Sequence, residues 1–334
     1  MTGTTFPSMQ AAVLETENGP FHLRQVRRPV PGPGQVLVRI AASGVNPLDA
    51  KIRAGTTPHA GHRLPAILGI DLAGTVEAAG QGAAAWKPGD EVYGMTGGVG
   101  GIQGSLAEYA AVDADLLARK PVNLTMREAA SLPLAFITAW EGLVDRARIQ
   151  RGQRVLVQGG AGGVGQMAIQ LARAMGAQVF ATGSAGQAAR IERLDAVALD
   201  RAVPMADHVA AHTGGQGFDL VYDTVGGPAL DAAFEAVRRF GHVVSALGWG
   251  THRLAPLSFR AASYSGVFTL LPLLTGEGRA HHGKILHEAT RLVEEGKLVP
   301  SLDPRRFCLD HVADAHAALT SRDASGKLVV DIAA

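Results

Sequence analysis

Between Val155 and Met175 the chain reads as a buried strand, a glycine-dense turn and a helix, a succession that few folds accommodate. Val155, Leu156 and Val157 lead into Gly160, Gly162 and Gly165 at G-x-G-x-x-G spacing, and Val164, Met167, Ala168, Leu171, Ala172 and Met175 then recur at helical intervals. Glycine permits the tight turn and lets a pyrophosphate approach the backbone. The unpaired N–H groups and positive dipole end of the adjoining helix stabilise the phosphate charge. Gly160, Gly162, Gly163, Val164 and Gly165 are therefore expected to cradle the phosphates of a dinucleotide.

Beyond the loop the pattern is that of an α/β fold. Strand-like runs "AQVFATG", "AVALD", "FDLVYD", "GHVVSALG" and "YSGVFTLL" alternate with helical stretches near Gln187 and from Pro228, as in a doubly wound parallel sheet. The N-terminal part is different. From Met9 to about Asp113 short strands are separated by Gly, Pro and Asp, and Val36, Val38 and Ile40 alternate as in a half-buried strand. A capping box at Thr125–Glu128 opens an alanine-rich helical segment and marks the expected start of a second domain. The tail from about Pro272 carries two helical stretches, Gly283 to Glu295 and Val312 to Thr320, and a last strand "GKLVVDI"; its own pattern assigns it to neither domain.

Lys plus Arg and Asp plus Glu nearly cancel at 31 against 30, which points away from nucleic acid or an anionic membrane and toward a small, weakly polar ligand. Cys308 is the single cysteine, so an intrachain disulfide and any zinc site needing two thiolates are excluded. The opening MTGTTFPSMQ lacks a basic-then-apolar leader, and the longest apolar stretches, such as Val267 to Leu274, are far short of the roughly 20 residues of a membrane span. A cytoplasmic protein is expected.

The second strand of the α/β part, Gln178 to Thr182, ends at Gly183 and Ser184, where an acid would be needed to bind the ribose of NAD. The absence of an acid there, with Arg190 nearby, favours NADP(H) over NAD(H). Asp200 after the third strand argues the other way.

Several long motifs in order give the chain a resemblance to the medium-chain dehydrogenase/reductase superfamily and, within it, to the zinc-independent quinone oxidoreductase group. They are "SGVNPLDAKIRAG" at Ser43, "PAILGIDLAGTVEAAG" at Pro65, "KPGDEVYG" at Lys87, "AASLPLAFITAWEGL" at Ala129, the glycine loop, "GFDLVYDTVGG" at Gly217 and "SGKLVV" at Ser325. The resemblance implies a GroES-like, mostly-β catalytic domain over residues 1–124 and 273–334, and a Rossmann domain over 125–272. It also places the metal ligands of zinc-using relatives at Asn46, Ile70, Asp71 and Leu134, two of which cannot coordinate zinc, while "MTGGVGGIQGS" replaces a four-cysteine lobe. Zinc-free chemistry is expected.

Without a Lewis acid, electron-poor acceptors suit such a site, so the expected reaction is hydride transfer from NADPH to a quinone or an α,β-unsaturated carbonyl. By resemblance Asn46 and Lys51 are the candidate catalytic residues, Asn46 donating to the developing oxyanion and Lys51 stabilising charge or supplying the proton, although relatives carry Tyr at the latter position. Thr138, Val225, Leu247, Gly248, Arg322 and Lys327 are implied to lie near the cofactor. Other readings are an enoyl-thioester or other activated-alkene reductase and a low-turnover NADPH-binding protein. Relatives pair through Rossmann-domain strand edges, so a homodimer is expected, with "YSGVFTLL" as the candidate edge.

Overall fold

The computed structural model describes residues 7–321 and 323–332. The chain divides into two units, Met1–Leu134 with Leu270–Ala334, and Ala135–Thr269.

The first unit is built on β-structure. The strands Phe21–Arg27, Ser8–Leu14 and Ala66–Ile67 form a small sheet. In the larger sheet, Gln35–Val45 lies between Leu328–Asp331 and Asp71–Ala79, both antiparallel to it, and the sheet continues through Glu91–Met95 to Leu117–Arg119. Val36, Val38 and Ile40 are buried as their alternation predicts. Leu37 is buried as well, so the strand is covered on both faces along this stretch, which also pairs with Tyr109–Asp113. The register matters for function: Gly44 stands opposite Asp71 and Val45 opposite Leu328, so the ends of three strands meet at one place.

Thr125 and Glu128 do form the capping box, each accepting the other's backbone N–H at 3.3 and 2.8 Å. The helix it opens, Met126–Ala130, nevertheless belongs to the first unit, and the division falls after Leu134 rather than at 125. A capping box marks where a helix starts and carries no information about the sheet it covers. Ala129 and Ala130 are fully buried, and a Cβ on Gly44 would stand 2.1 Å from the Ala130 carbonyl oxygen, so glycine is what lets helix and strand approach. At the other end the return begins at Leu270, before the expected 273. "YSGVFTLL" is not one long strand: only Ser263–Gly266 pairs, and the helix Leu271–Thr275 comes after it.

The second unit is a six-stranded parallel sheet in the order Val197–Asp200, Gln178–Gly183, Arg154–Gln158, Phe218–Asp223, Val237–Ser245, Ser263–Gly266. Numbered along the chain this order is 3-2-1-4-5-6, the doubly wound Rossmann arrangement, in which ligands bind beyond the carboxyl ends of the strands where the order reverses. Phe180, Phe218, Val221, Leu230, Phe234 and Val243 form the core on one side of the sheet. Among the described residues no helix is long and apolar enough to cross a membrane.

Candidate active site

The glycine loop runs from the end of Arg154–Gln158 into the helix Gly163–Ala174, with Gly162 at its N-cap. Gly160 and Gly165 answer to different neighbours. A Cβ on Gly160 would stand 2.6 Å from that of Ala181 in the adjacent strand, and one on Gly165 would stand 2.2 Å from the Gly159 carbonyl oxygen. Gly162 is different: the nearest atom to its added Cβ is the Gly159 oxygen at 3.3 Å, so the fold itself tolerates a methyl group there. The loop is held by the Gly160 N–H to the Thr182 carbonyl (2.9 Å) and by the Gln166 amide to the Ala161 carbonyl (3.0 Å). Gly163, Val164 and Gly165 form the first turn of the helix, where backbone N–H groups have no intrahelical acceptor and favour an anion.

At the next strand end, Gly183 pairs with Asp200, and the Ser184 N–H donates to Gln187 Oε1 at 3.0 Å. Asp200, the residue that argued for NAD, accepts the Ala202 N–H at 3.0 Å, so its carboxylate serves its own turn. Arg190 lies on the short helix Ala188–Glu192 that comes next. The sequence alone gives no signal for Arg201, whose N–H donates to the Gly183 carbonyl at 2.9 Å and whose side chain is exposed. Only the strand pairing reveals that neighbour. Val225 lies just past the strand Phe218–Asp223 and is 52% exposed, an unusual position for valine in a packed α/β unit. Leu247 and Gly248 lie just past Val237–Ser245. Thr138 is buried, accepts a hydrogen bond from Thr269 Oγ1 at 3.2 Å, and lends its carbonyl to the Tyr222 hydroxyl at 2.6 Å.

In the first unit the three converging strand ends gather a buried polar cluster. Asn46, 2% exposed, ends the strand Gln35–Val45 and caps the helix Pro47–Arg53, its N–H donating to Asp49 Oδ2 at 2.8 Å. Its side-chain amide is held from both ends: Nδ2 donates to Asp71 Oδ2 at 2.9 Å, and Oδ1 accepts from Lys327 Nζ, which also donates to the Val45 carbonyl at 3.2 Å. Asp71 Oδ1 accepts the Leu134 N–H at 2.9 Å, so both carboxylate oxygens are engaged. Asp49 Oδ1, by contrast, is buried with no hydrogen-bond partner.

Burial raises both carboxyls. Asp49 is pushed up to about 7, the charge of Asp71 adding to the rise while the Asn46 N–H and Lys327 oppose it. Asp71 rises to about 6, against the ammonium of Lys327 and the hydrogen bonds from Asn46 and Leu134. The same burial pushes Lys327 down, opposed by the two acids. Both acids are thus raised toward neutrality and the lysine is lowered, the kind of perturbation that burial and close charges produce where functional groups gather.

Lys327, expected beside the cofactor, is thus the cation of the Asn46 cluster. Lys51, expected to stabilise charge or supply the proton, is exposed on the helix Pro47–Arg53, whose buried positions are Asp49 and Ile52. Arg322 lies outside the described residues. Asp49 holds the turn through the Asn46 N–H, and its unpartnered oxygen has no signal in the sequence. Among the described residues no three His, Cys, Asp or Glu side chains come together as a cation-binding group. The segment Thr96–Val99 is buried and closed by bonds from the Gly98 N–H to the Ile102 carbonyl and from the Gly104 N–H to the Ile67 carbonyl, so it packs into the first unit.

Comparison with known proteins agrees with this architecture. Residues 32–122 match the alcohol dehydrogenase GroES-like domain family, and residues 194–330 match the family described as zinc-binding dehydrogenase. The chain is 35% identical to the 2-methylene-furan-3-one reductase of Solanum lycopersicum over 98% of its own length and 81% of that protein's. It is also 35% identical to the chloroplastic NADPH-dependent alkenal/one oxidoreductase of Arabidopsis thaliana, over 89% of this chain and 72% of that one. A crystal structure of an alcohol dehydrogenase superfamily protein from Novosphingobium aromaticivorans superposes with a TM-score of 0.96 at 60% identity, covering 97% of this chain and all of that one. With a GroES-like unit, a Rossmann unit and relatives matched over most of their length, the chain is an oxidoreductase and belongs to the medium-chain dehydrogenase/reductase superfamily, in its quinone oxidoreductase-like group.

Proposed function

We propose that the protein is a zinc-independent, NADPH-dependent reductase of activated alkenes, with α,β-unsaturated carbonyls as its principal acceptors and quinones as chemically equivalent ones. The observation that carries this reading is the Lys327–Asn46–Asp71 arrangement. At the positions that hold metal in zinc-using relatives, Ile70 and Leu134 offer no ligand atom, both oxygens of Asp71 already accept hydrogen bonds, and an ammonium supplies the positive charge. The set fits a buried cation of the chain's own and does not fit zinc. The names of the Solanum and Arabidopsis relatives support an enone or enal as acceptor, and the second supports NADPH.

The Rossmann unit fits a dinucleotide, the glycine loop and helix N-terminus holding the phosphates, Ser184, Arg190 and Arg201 the adenosine end, and Val225 and Leu247 the nicotinamide end. Bound NADPH supplies the hydride. Conjugate reduction places negative charge on the carbonyl oxygen of the acceptor, and an enolate oxygen needs a fixed donor. Asn46 is that donor. Lys327, bonded to the amide oxygen, fixes the orientation of the amide and polarises its N–H groups, one of which remains after the bond to Asp71. Asp49 holds the backbone of Asn46 through its N–H, and the proton that completes the reduction at the α-carbon is taken from solvent.

This reading predicts NADPH consumption with enones and quinones in the presence of chelator, slower turnover with NADH, and none with simple saturated ketones. Spectrophotometric assay across such a panel checks it. Activity abolished by chelator, or a preference for simple ketones, would contradict it.

A further inference from the structure

Asp223 is fully buried at the carboxyl end of its strand, and its hydrogen bonds come from uncharged groups. Oδ1 accepts the N–H of Val225 and that of Gly226, each at 3.0 Å; Oδ2 accepts Gly226 N–H at 3.1 Å and the Ser245 hydroxyl at 2.6 Å. Ser245 Oγ in turn accepts the Leu247 N–H at 3.0 Å. One carboxylate therefore holds the residues after two neighbouring strands, its own directly and the next through Ser245. The two turns also touch: Gly226 has φ +77°, and a Cβ there would stand 2.6 Å from the Leu247 carbonyl oxygen. A third turn joins them through the Thr224 hydroxyl, which donates to the Gln158 carbonyl at 2.6 Å, just ahead of the glycine loop.

Burying a carboxylate with only neutral donors is costly, and packing alone would be served better by an apolar side chain. The benefit lies in fixing three loops at the strand ends, where an open α/β sheet binds its ligand. We infer that Asp223 and Ser245 are positioning residues that set the backbone of Val225 and Leu247 for the nicotinamide half of the cofactor. The inference rests on the dinucleotide reading above. Neither residue needs to touch the cofactor: the carboxylate aims the exposed Val225, and the serine carries the same constraint to Leu247.

The test compares NADPH with 2′,5′-ADP, which has the adenosine end and lacks nicotinamide, by calorimetric titration of the full chain. Ser245→Ala severs the Leu247 arm and leaves the bonds from Asp223 to Val225 and Gly226. It should weaken NADPH about tenfold while 2′,5′-ADP stays within about twofold. Asp223→Ala removes both arms and should weaken NADPH further with the same selectivity; if that variant does not fold, Ser245→Ala decides alone. Equal weakening of both ligands, or unchanged NADPH affinity, overturns the inference. Failure of the unaltered protein to bind either ligand would instead strike at the dinucleotide reading itself.

Discussion

Lys327→Met lowers folding stability by about 3 kcal/mol at about pH 8 and by only about 1 kcal/mol at about pH 5, the remainder being the hydrogen bonds lost to Val45 and Asn46. The sign comes from the cluster. A carboxyl whose pKa is raised on folding stabilises the folded state below its unfolded value and loses that contribution as pH rises through the folded value. For Asp71 and Asp49 that window opens near 3.8 and closes near about 6 and about 7. The lowered pKa of Lys327 acts the other way, its contribution falling as pH drops through the folded value. Above the window both acids are ionised, and removing the ammonium leaves buried negative charge without its cation. Below the two folded values, as at about pH 5, both carry protons, and methionine replaces a cation that had little to pair with. Urea denaturation of the two proteins at both pH values measures the difference. Equal destabilisation at the two values would show that Lys327 acts through packing alone.

Two substitutions in the glycine loop should separate folding from binding. Gly165→Ala places a methyl group 2.2 Å from the Gly159 carbonyl oxygen and 2.9 Å from the Gly160 Cα, all backbone atoms that cannot turn aside. The helix must lift off the loop, at a cost of about 3 kcal/mol or more. Gly162→Ala meets only the Gly159 oxygen at 3.3 Å and should change stability by less than about 1 kcal/mol. It should nevertheless weaken NADPH at least about tenfold, since the new methyl group stands where a pyrophosphate approaches. Thermal melts and fluorescence titration read the two effects separately. A Gly162→Ala protein that binds NADPH normally would mean that the phosphates lie elsewhere.

How far the sequence reveals this molecule depends on how local each determinant is. The glycine loop is legible because strand, turn and helix lie within about twenty consecutive residues. The helix Met205–Thr213 has no such signature, because "MADHVAAHT" comes after a proline and carries two histidines and a threonine, with too short an apolar stripe for its period to register. Lys51 stands out through its closeness to Asn46 along the chain. Five residues on, a short helix carries its side chain to solvent, while the cation that meets Asn46 comes from 281 residues away. The sheet register that brings Val45 opposite Leu328 makes that meeting, and register across such a separation has no local signature.

The same contrast explains the domain boundary. Thr125–Glu128 announces a helix, but only the close approach of Ala130 to Gly44 shows which sheet it covers. Likewise, the acidic residue after the third strand is visible in the sequence, while its engagement by the Ala202 N–H is not.

Incubation with an α,β-unsaturated ketone and NADPH deuterated at the transferring position of C4, with the product then read by mass spectrometry and proton NMR, tests the central claim most directly. A saturated ketone with one deuterium on the β-carbon and a solvent-derived proton on the α-carbon is the predicted result. An allylic alcohol with deuterium on the former carbonyl carbon would contradict it, because the protein would then be reducing carbonyls and not activated alkenes.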